Sequence, residues 1–553
     1  MSLKNFNRKK STAFKTGVVL GTLMMLLTSM TATVSADEPY DVYNYDRYGE
    51  AVPSQAGYIA ERCVSGEDLG IDLFVEPNDI FKDHNDIFYI ADAGNNRIVA
   101  VDSDFREVIR IYDTFTMPDG SETTITEPTG VYVSPYTDLL YICDMRDKKI
   151  GRVLVCDLEG NVQLELNMPN DASYVTSDDT SSDTDSADTT EESDDSDESA
   201  DEEAETEEQE AQDDSSTDDT VTSSKNTFLP QKVLADKAGN AYVVVKGVTN
   251  GALVYDSEGN FTSYYGANRV ETTAEVLSNY FWTSIATDEM RARRTRTTSS
   301  PIANFDIDAE GFIYTCMESS TQDLDKIKKL NAAGNNLFAN YEITIGDNDL
   351  WVAQTNQSYK THIVDIEIAD DNTINCLDMT TGRVFQYDED CNLLFIVGTN
   401  ANQVGGFRYA VAMESFEDKL YVLDRTKGTV TIFKETEFGA LVHEANSLYN
   451  DGYYDEALEP WYEVLKYDGN YRRAYIGVAS ALQNKGEYKE AMKYSKLAMA
   501  SKRYNKAFEG YRSELLNKYF NVIMIGVVVL VVVFIVLKIR KSRKNKQKGG
   551  AAS

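Results

Sequence analysis

Apolar and polar positions divide the chain into stretches of two different periods. Over residues 77–434, short apolar runs recur, each bounded by turn residues such as Asp, Asn and Gly. An apolar strand, a short turn and a second apolar strand often ending in Asp occur six times. The second strands fall at 87–92, 140–144, 241–245, 312–316, 373–378 and 420–424. A third strand follows each, as at 97–102 and 383–388, and usually closes on a turn such as Asp256-Ser257-Glu258-Gly259-Asn260. Four short strands in units of 45 to 52 residues, where no insert intervenes, predict propeller blades, and six units predict an all-β six-bladed ring. The last unit stops after its third strand, at 429–434. Residues 58–64, within the N-terminal segment 37–76, are expected to supply the missing outer strand and so remove an exposed edge.

Beyond the ring the period becomes helical. Gly452-Tyr453-Tyr454-Asp455-Glu456-Ala457 returns 34 residues later as Gly486-Glu487-Tyr488-Lys489-Glu490-Ala491. Ala474, Gly477, Ser480, Leu482, Asn484 and Lys485 recur 33 residues on, from Ala507 to Lys518. Residues 440–518 are therefore expected to form a small all-α domain of two repeats and one further helix, which runs into the next apolar segment. That segment, 519–537, is unbroken from 522 and is predicted to be one transmembrane helix: nineteen residues at 1.5 Å each span about 28 Å. Seven basic residues from Lys538 to Lys548 follow in the tail 538–553 and place it in the cytoplasm by the positive-inside rule.

Two families are resembled. Tyr89-Ile90-Ala91-Asp92-Ala93-Gly94-Asn95-Asn96-Arg97-Ile98-Val99 is similar to the NHL repeat, with its strand, Asp, Asn-Asn-Arg turn and strand. The third and fourth units depart from it, because Val245 and Met317 do not supply the Asp. The recurring Asp is read as a turn fixer, accepting from backbone N–H groups and from the Arg of the next strand. Gly452, Tyr454 and Ala457, with Trp461 one turn later, resemble the tetratricopeptide repeat. A leader, NHL-like units, tetratricopeptide-like helices and one C-terminal helix together look like bacterial surface proteins that accompany carbohydrate uptake systems.

Charge and leader sequence add compartment and partners. Residues 178–219 hold 22 acidic residues and no basic one, so the formal charge of −38 falls to −16 without them. An acidic surface repels phosphate backbones, so no nucleic-acid partner is expected. The tract, within an insert at 173–225, is expected to be a disordered loop. It either lies over a neighbouring basic patch or serves as a solvated spacer. A second insert, 272–300, shows helical spacing and ends in Arg291, Arg293, Arg294 and Arg296, which are candidate partner-binding residues. Both inserts join an outer strand to the next inner strand, so both are expected on one face of the ring. Residues 1–36 read as a secretory signal, with a basic start, an apolar run at 18–27 and Val34-Ser35-Ala36 before Asp37; an uncleaved anchor is the alternative. With the cytoplasmic tail, this places the ring outside the cell. Of six cysteines, Cys143, Cys316 and Cys376 replace aliphatic residues in strand runs, so buried free thiols are expected rather than disulfides.

Little chemistry is spelled out. The three histidines, His84, His362 and His443, are far apart, whereas amidating-lyase-like propellers need several around a metal. Lactonase-like propellers use a central Glu, Asn and Asp for a divalent ion, calcium included, and acidic and amide residues are plentiful enough to keep that reading open. No cofactor, metal ligand or catalytic residue is assigned. The expected function is a membrane-anchored scaffold that docks a protein or glycan outside the cell and meets the membrane through one helix; the alternative is a metal-dependent propeller lyase or lactonase-like hydrolase. Arg472 and Tyr475 are the candidates for lining a groove on the helical repeats, with a plain spacer as the competing role.

Overall fold

The computed structural model describes residues 40, 42–46, 48–146, 150–169, 227–268, 300–317, 326–340, 345–347, 350–352, 357–359 and 361–549. The expected leader, the acidic insert, and the helical insert with Arg291, Arg293, Arg294 and Arg296 lie outside these, apart from Ser300 at the end of the second insert.

Six antiparallel sheets form the ring. Blade one is Asp79–Lys82, Ile87–Asp92, Arg97–Asp102 and Val108–Tyr112, in that spatial order. Blade two runs from Pro128–Val133 to Val162–Leu166, blade three from Pro230–Ala235 to Phe261–Gly266, and blade five from Ile363–Ile368 to Leu393–Val397. Blade four shows Ile302–Ile307, Ile313–Met317 and Ile327–Leu330 among the described residues. In blade six, Ala410–Phe416, Lys419–Asp424 and Thr429–Glu435 are completed by Tyr58–Ser65, which pairs antiparallel from Tyr58 with Glu435 to Ser65 with Thr429. The first and last strands of the ring thus close it by backbone hydrogen bonds.

The second strand of a blade is covered on both faces by neighbouring blades, which is why these strands read as unbroken apolar runs. Leu140–Asp144, Ala241–Val245 and Ile374–Asp378 are buried at every position. The core accordingly consists of several clusters, each between adjacent blades. One, for example, joins Phe88, Val99 and Val101 of blade one to Tyr421, Leu423 and Ile432 of blade six. All six cysteines are free thiols, and burial pushes those of Cys143 and Cys376 well up.

After blade six the chain enters helices α1 (Glu437–Asn450), α2 (Leu458–Tyr467), α3 (Arg472–Asn484), α4 (Tyr488–Leu497) and α5 (Ser501–Gly549). Thr436 caps α1 by accepting from Gly439 N–H at 3.0 Å, and its hydroxyl also donates to Ala56 C=O, which ties the helices to the start of the closing strand. Successive helices pack as antiparallel pairs. The close approaches are made at two glycines: a Cβ on Gly477 would lie 2.5 Å from the Trp461 ring, and one on Gly510 would lie 2.4 Å from the Tyr488 ring. The recurrence of Gly477 as Gly510 is therefore a packing requirement. Helix α5 has 49 residues, about 73 Å at 1.5 Å per residue, and is continuous from the last repeat into the apolar segment. Its apolar residues from Val522 to Ile539 are all exposed, and among the described residues it is the one helix long and apolar enough to cross a membrane.

Candidate functional site

In blades one, two, five and six the recurring Asp at the end of the second strand holds the blade's entry loop. Asp92 accepts from Val75 N–H at 2.7 Å and from Arg97 Nε at 2.8 Å; Asp144 accepts from Thr126 N–H at 2.8 Å and from Arg152 Nε at 3.0 Å. Asp378 takes His362 N–H and Asp424 takes Arg408 N–H in the same way. These carboxylates fix turns, as their position in the repeat implies. Blade five departs in one respect. Arg383 turns away from Asp378 to Asp347, which also accepts from the hydroxyls of Tyr43 and Tyr45. An N-terminal hairpin, Tyr43–Tyr45 paired with Ala51–Pro53, is clamped to blade five by this group. Nothing in the repeat pattern announced the hairpin, because it lies before the first unit.

The inner strands bring acidic side chains to the central channel. Asp79, Asp306, Asp365, Glu367 and Glu414 line it, with Lys232 and Asn304. Most are engaged in joining blades. Asp79 of blade one accepts from Val131 N–H of blade two at 2.9 Å and pairs with Lys232 of blade three. Asp306 of blade four accepts from Ile368 N–H of blade five at 2.7 Å. Asp365 of blade five accepts from Met413 N–H of blade six at 2.6 Å and from Asn304 of blade four. Glu367 accepts from Ser415 Oγ of blade six at 2.5 Å and from Asn375 Nδ2 at 2.6 Å. The inner edge of each sheet would otherwise leave N–H groups without acceptors, and these carboxylates supply them.

Crowding and burial change the proton count. Burial, then the charge of Asp306, pushes Glu367 up to about 8; burial and Asp79 push Asp365 up to about 7 against the pull of Lys232; burial pushes Asp306 up to about 6. Glu414 is raised by burial and then by Glu367. At neutral pH the cluster therefore holds protons rather than five full charges. The void among these groups is about 40 Å³, room for a water or two. Among the described residues, no three of His, Cys, Asp or Glu are arranged to hold a metal ion. His84 faces Asp138 at 3.1 Å, and His443 bridges Glu435 and Gln386 at the helical junction.

A larger cavity lies where three parts of the chain meet. It measures about 640 Å³ and is walled by the hairpin (Asn44, Tyr45, Asp46, Tyr48), the turn of blade five between its third and fourth strands (Tyr387, Cys391, Asn392), and the start of α3 (Arg472, Arg473, Ile476). The junction is well bonded. Tyr471 donates to Leu394 C=O at 3.0 Å, Arg473 pairs with Asp388 at 2.8 Å, Ser54 donates to Asp468 at 2.9 Å, and Phe395 stacks on Tyr471. The helical domain is docked on the face carrying the turns between third and fourth strands, opposite the face from which both inserts depart.

Of the sequence candidates, Arg472 lines the cavity and donates through Nε to Ala498 C=O at 3.1 Å. Tyr475 does not line it; its hydroxyl donates to Gly469 C=O at 3.0 Å, and its ring lies beside Tyr494. Arg473 was missed. Its spacing with Ile476, Gly477 and Ser480 puts it on the inner face of α3, and a charged residue at that register is a readable signal.

No protein-family model matches the chain, and no curated protein matches it. Among solved structures, virginiamycin B lyase from Staphylococcus aureus is similar over 68% of this chain and 99% of its own, at 7% identity and a TM-score of 0.36. Hydrazine synthase from Kuenenia stuttgartiensis is similar over 69% and 99%, at 11% identity and a TM-score of 0.33. The extracellular domain of a hybrid two-component system from B. thetaiotaomicron is matched over 70% of this chain and 39% of its own, at 11% identity and a TM-score of 0.32. At these scores the likenesses carry no argument about function.

Proposed function

We propose that this is a membrane-anchored binding protein. Its NHL-like propeller and tetratricopeptide-like helices stand outside the cell and dock a protein or glycan partner, and α5 fixes them to the membrane with the basic tail in the cytoplasm. The observation that carries this is the contrast between the two concave places. The channel carboxylates are mostly engaged in joining blades around a void of about 40 Å³, whereas the junction cavity offers about 640 Å³ walled by three separate elements. The test is to incubate the purified full-length protein, in detergent, with glycan and peptide arrays. Saturable binding that falls when exposed Tyr48 is replaced by Asp is the expected result. Hydrolysis or elimination of lactone or ester substrates that requires a divalent ion and disappears in Glu414→Gln, with no array binding, would establish the lyase or lactonase alternative instead.

A further inference from the structure

The second strands of the ring share a side chain that blade five lacks. Three residues before the end of that strand stand Tyr89, Tyr141, Tyr242, Tyr314 and Tyr421, but Asn375 in blade five. On the third strand Gln386 faces Asn375, where blades one, two, three and six carry Ala100, Val155, Val254 and Ile432. On the inner strand the residue facing Asn375 is Glu367. Two amides inside a sheet cost free energy unless both ends are bonded, and Asn375 is 0% and Gln386 2% exposed. Here both are. His443 of α1 meets Glu435 through Nδ1 and Gln386 Oε1 through Nε2, the latter at 2.8 Å. Gln386 Nε2 donates to Asn375 Oδ1 at 3.0 Å and to the Tyr58 hydroxyl at 3.2 Å. Asn375 Nδ2 donates to Glu367 Oε2 at 2.6 Å, and Ser415 donates to Oε1. An unbroken line of side-chain hydrogen bonds thus crosses blade five from α1 to the central channel.

Such a line has two senses, because an amide turned over exchanges donor and acceptor in the same place. In one sense every donor points toward the channel. His443 then donates from both ring nitrogens, and Glu367 Oε2 accepts whether or not Oε1 carries a proton. In the other sense every donor points toward α1. Glu367 then holds a proton on Oε2 and donates to Asn375, Asn375 donates to Gln386, and Gln386 donates to a singly protonated His443. The Tyr58 hydroxyl turns to donate to Gln386. When Glu367 is ionised and His443 is neutral, neither sense is complete, and one buried contact sets two acceptors against each other.

We propose that this line couples the charge of Glu367 in the channel to that of His443 beneath α1, so that the seam between ring and helices loosens only when both have given up their protons. No proton travels through the amides; each end exchanges with solvent and the amides turn. A pocket of about 170 Å³ reaches His443, Gln386 and Ser415. Other charges face the two ends. Around His443 these are Glu435, Glu417 and Lys419 of blade six and Asp370 and Asp371 of blade five, with Tyr58 of the closing strand. Around Glu367 they are Asp306 of blade four, Asp365 of its own strand, Glu414 of blade six and Lys232 of blade three. None of them changes with the sense of the line. Burial pushes Glu367 up to about 8 against the hydrogen bond from Ser415, so this end keeps its proton at neutral pH and the coupling shows as pH rises past that value. The coupling does not depend on what the protein binds.

Thiol labelling of the full-length protein in detergent tests it. A cysteine is placed by Ala445→Cys, at a position 0% exposed in α1, and its modification is followed by mass spectrometry from pH 7 to 10, normalised to the same thiol in an unfolded peptide. Cys143, buried in blade two, labels only if the ring opens and is the internal control. With the line intact, opening of α1 is expected to rise about tenfold across the series, the worth of one unmade buried hydrogen bond, while Cys143 labels far more slowly. Glu367→Gln, which donates or accepts without titrating, is expected to hold the rise below about twofold. Gln386→Val cuts the line with the side chain that blades two and three carry there, and leaves Glu367 able to ionise. It is expected to open α1 more at pH 7 and to rise less than about twofold after that. Asn375→Leu cuts the line at the other amide and is expected to behave alike. No rise with the line intact, an equal rise in Glu367→Gln, or labelling of α1 no faster than that of Cys143 would each overturn the proposal. So would a tenfold rise that survives either cut, since charge would then be acting through space rather than through the line.

Discussion

Glu367→Gln tests the reading of the channel as a proton-holding joint between blades. Glu367 is 6% exposed, and its carboxyl is raised from 4.5 to about 8 by burial and then by Asp306. A carboxyl with a raised value in the folded state contributes stability that is fully present below the unfolded value, near 4.5, and is lost as pH rises through about 8. The shift of about 3.5 units corresponds to a ceiling of about 5 kcal/mol at 1.36 kcal/mol per unit. Neighbouring carboxyls take up part of the change, so about 2–4 kcal/mol is expected between pH 4.5 and 8. Gln keeps an acceptor for Asn375, and the Ser415 hydroxyl can rotate to accept from the new amide, so the hydrogen bonds change by an offset that does not depend on pH. The assay is thermal unfolding of the full-length wild type and variant in detergent at pH 5, 6, 7 and 8. The variant's melting temperature, relative to wild type at the same pH, should rise by about 3–5 °C across that series. The acidic insert titrates identically in both proteins and cancels. A difference that stays flat, or falls with rising pH, would refute the claim that Glu367 is protonated in the fold at neutral pH.

Three further outcomes follow from named contacts. Asp144→Ala leaves Arg152, which is 1% exposed, with Glu165 as its charged partner but no acceptor for its Nε, takes the acceptor from Thr126 N–H, and should destabilise the protein by about 2–3 kcal/mol in denaturant unfolding, whereas the same change at exposed Asp104 should cost less than about 1 kcal/mol. Asp388→Ala removes the partner of buried Arg473 and should expose the α2–α3 connection to limited proteolysis while the propeller stays resistant. Protease added to intact cells should digest the ring and spare a short C-terminal fragment that includes the apolar part of α5; survival of the whole chain under conditions that expose the surface would reverse the orientation proposed here.

What the sequence determined by itself was the local pattern. Second strands buried on both faces must be apolar throughout, so 87–92, 140–144 and 241–245 could be read directly, and their number set the number of blades. The recurring Asp was legible for the same reason, since a turn that needs an acceptor needs it in every repeat. Gly477 and Gly510 showed the spacing of the helices before the rings they touch were known. Tertiary structure alone decided the rest. The channel side chains belong to different inner strands: Asp365 is 61 residues from Asn304 and 48 from Met413, and no local pattern encodes that meeting. The junction cavity likewise depends on Tyr48, Asn392 and Arg473 coming together from three segments. Arg473 is buried against Asn446, Tyr449 and Trp461 of the preceding helices and Asp388 of blade five, which only the packed chain brings together. Local periodicity specifies which face of an element is buried; which residues meet across the ring depends on how the blades close and where the helices dock, and those are properties of the whole chain.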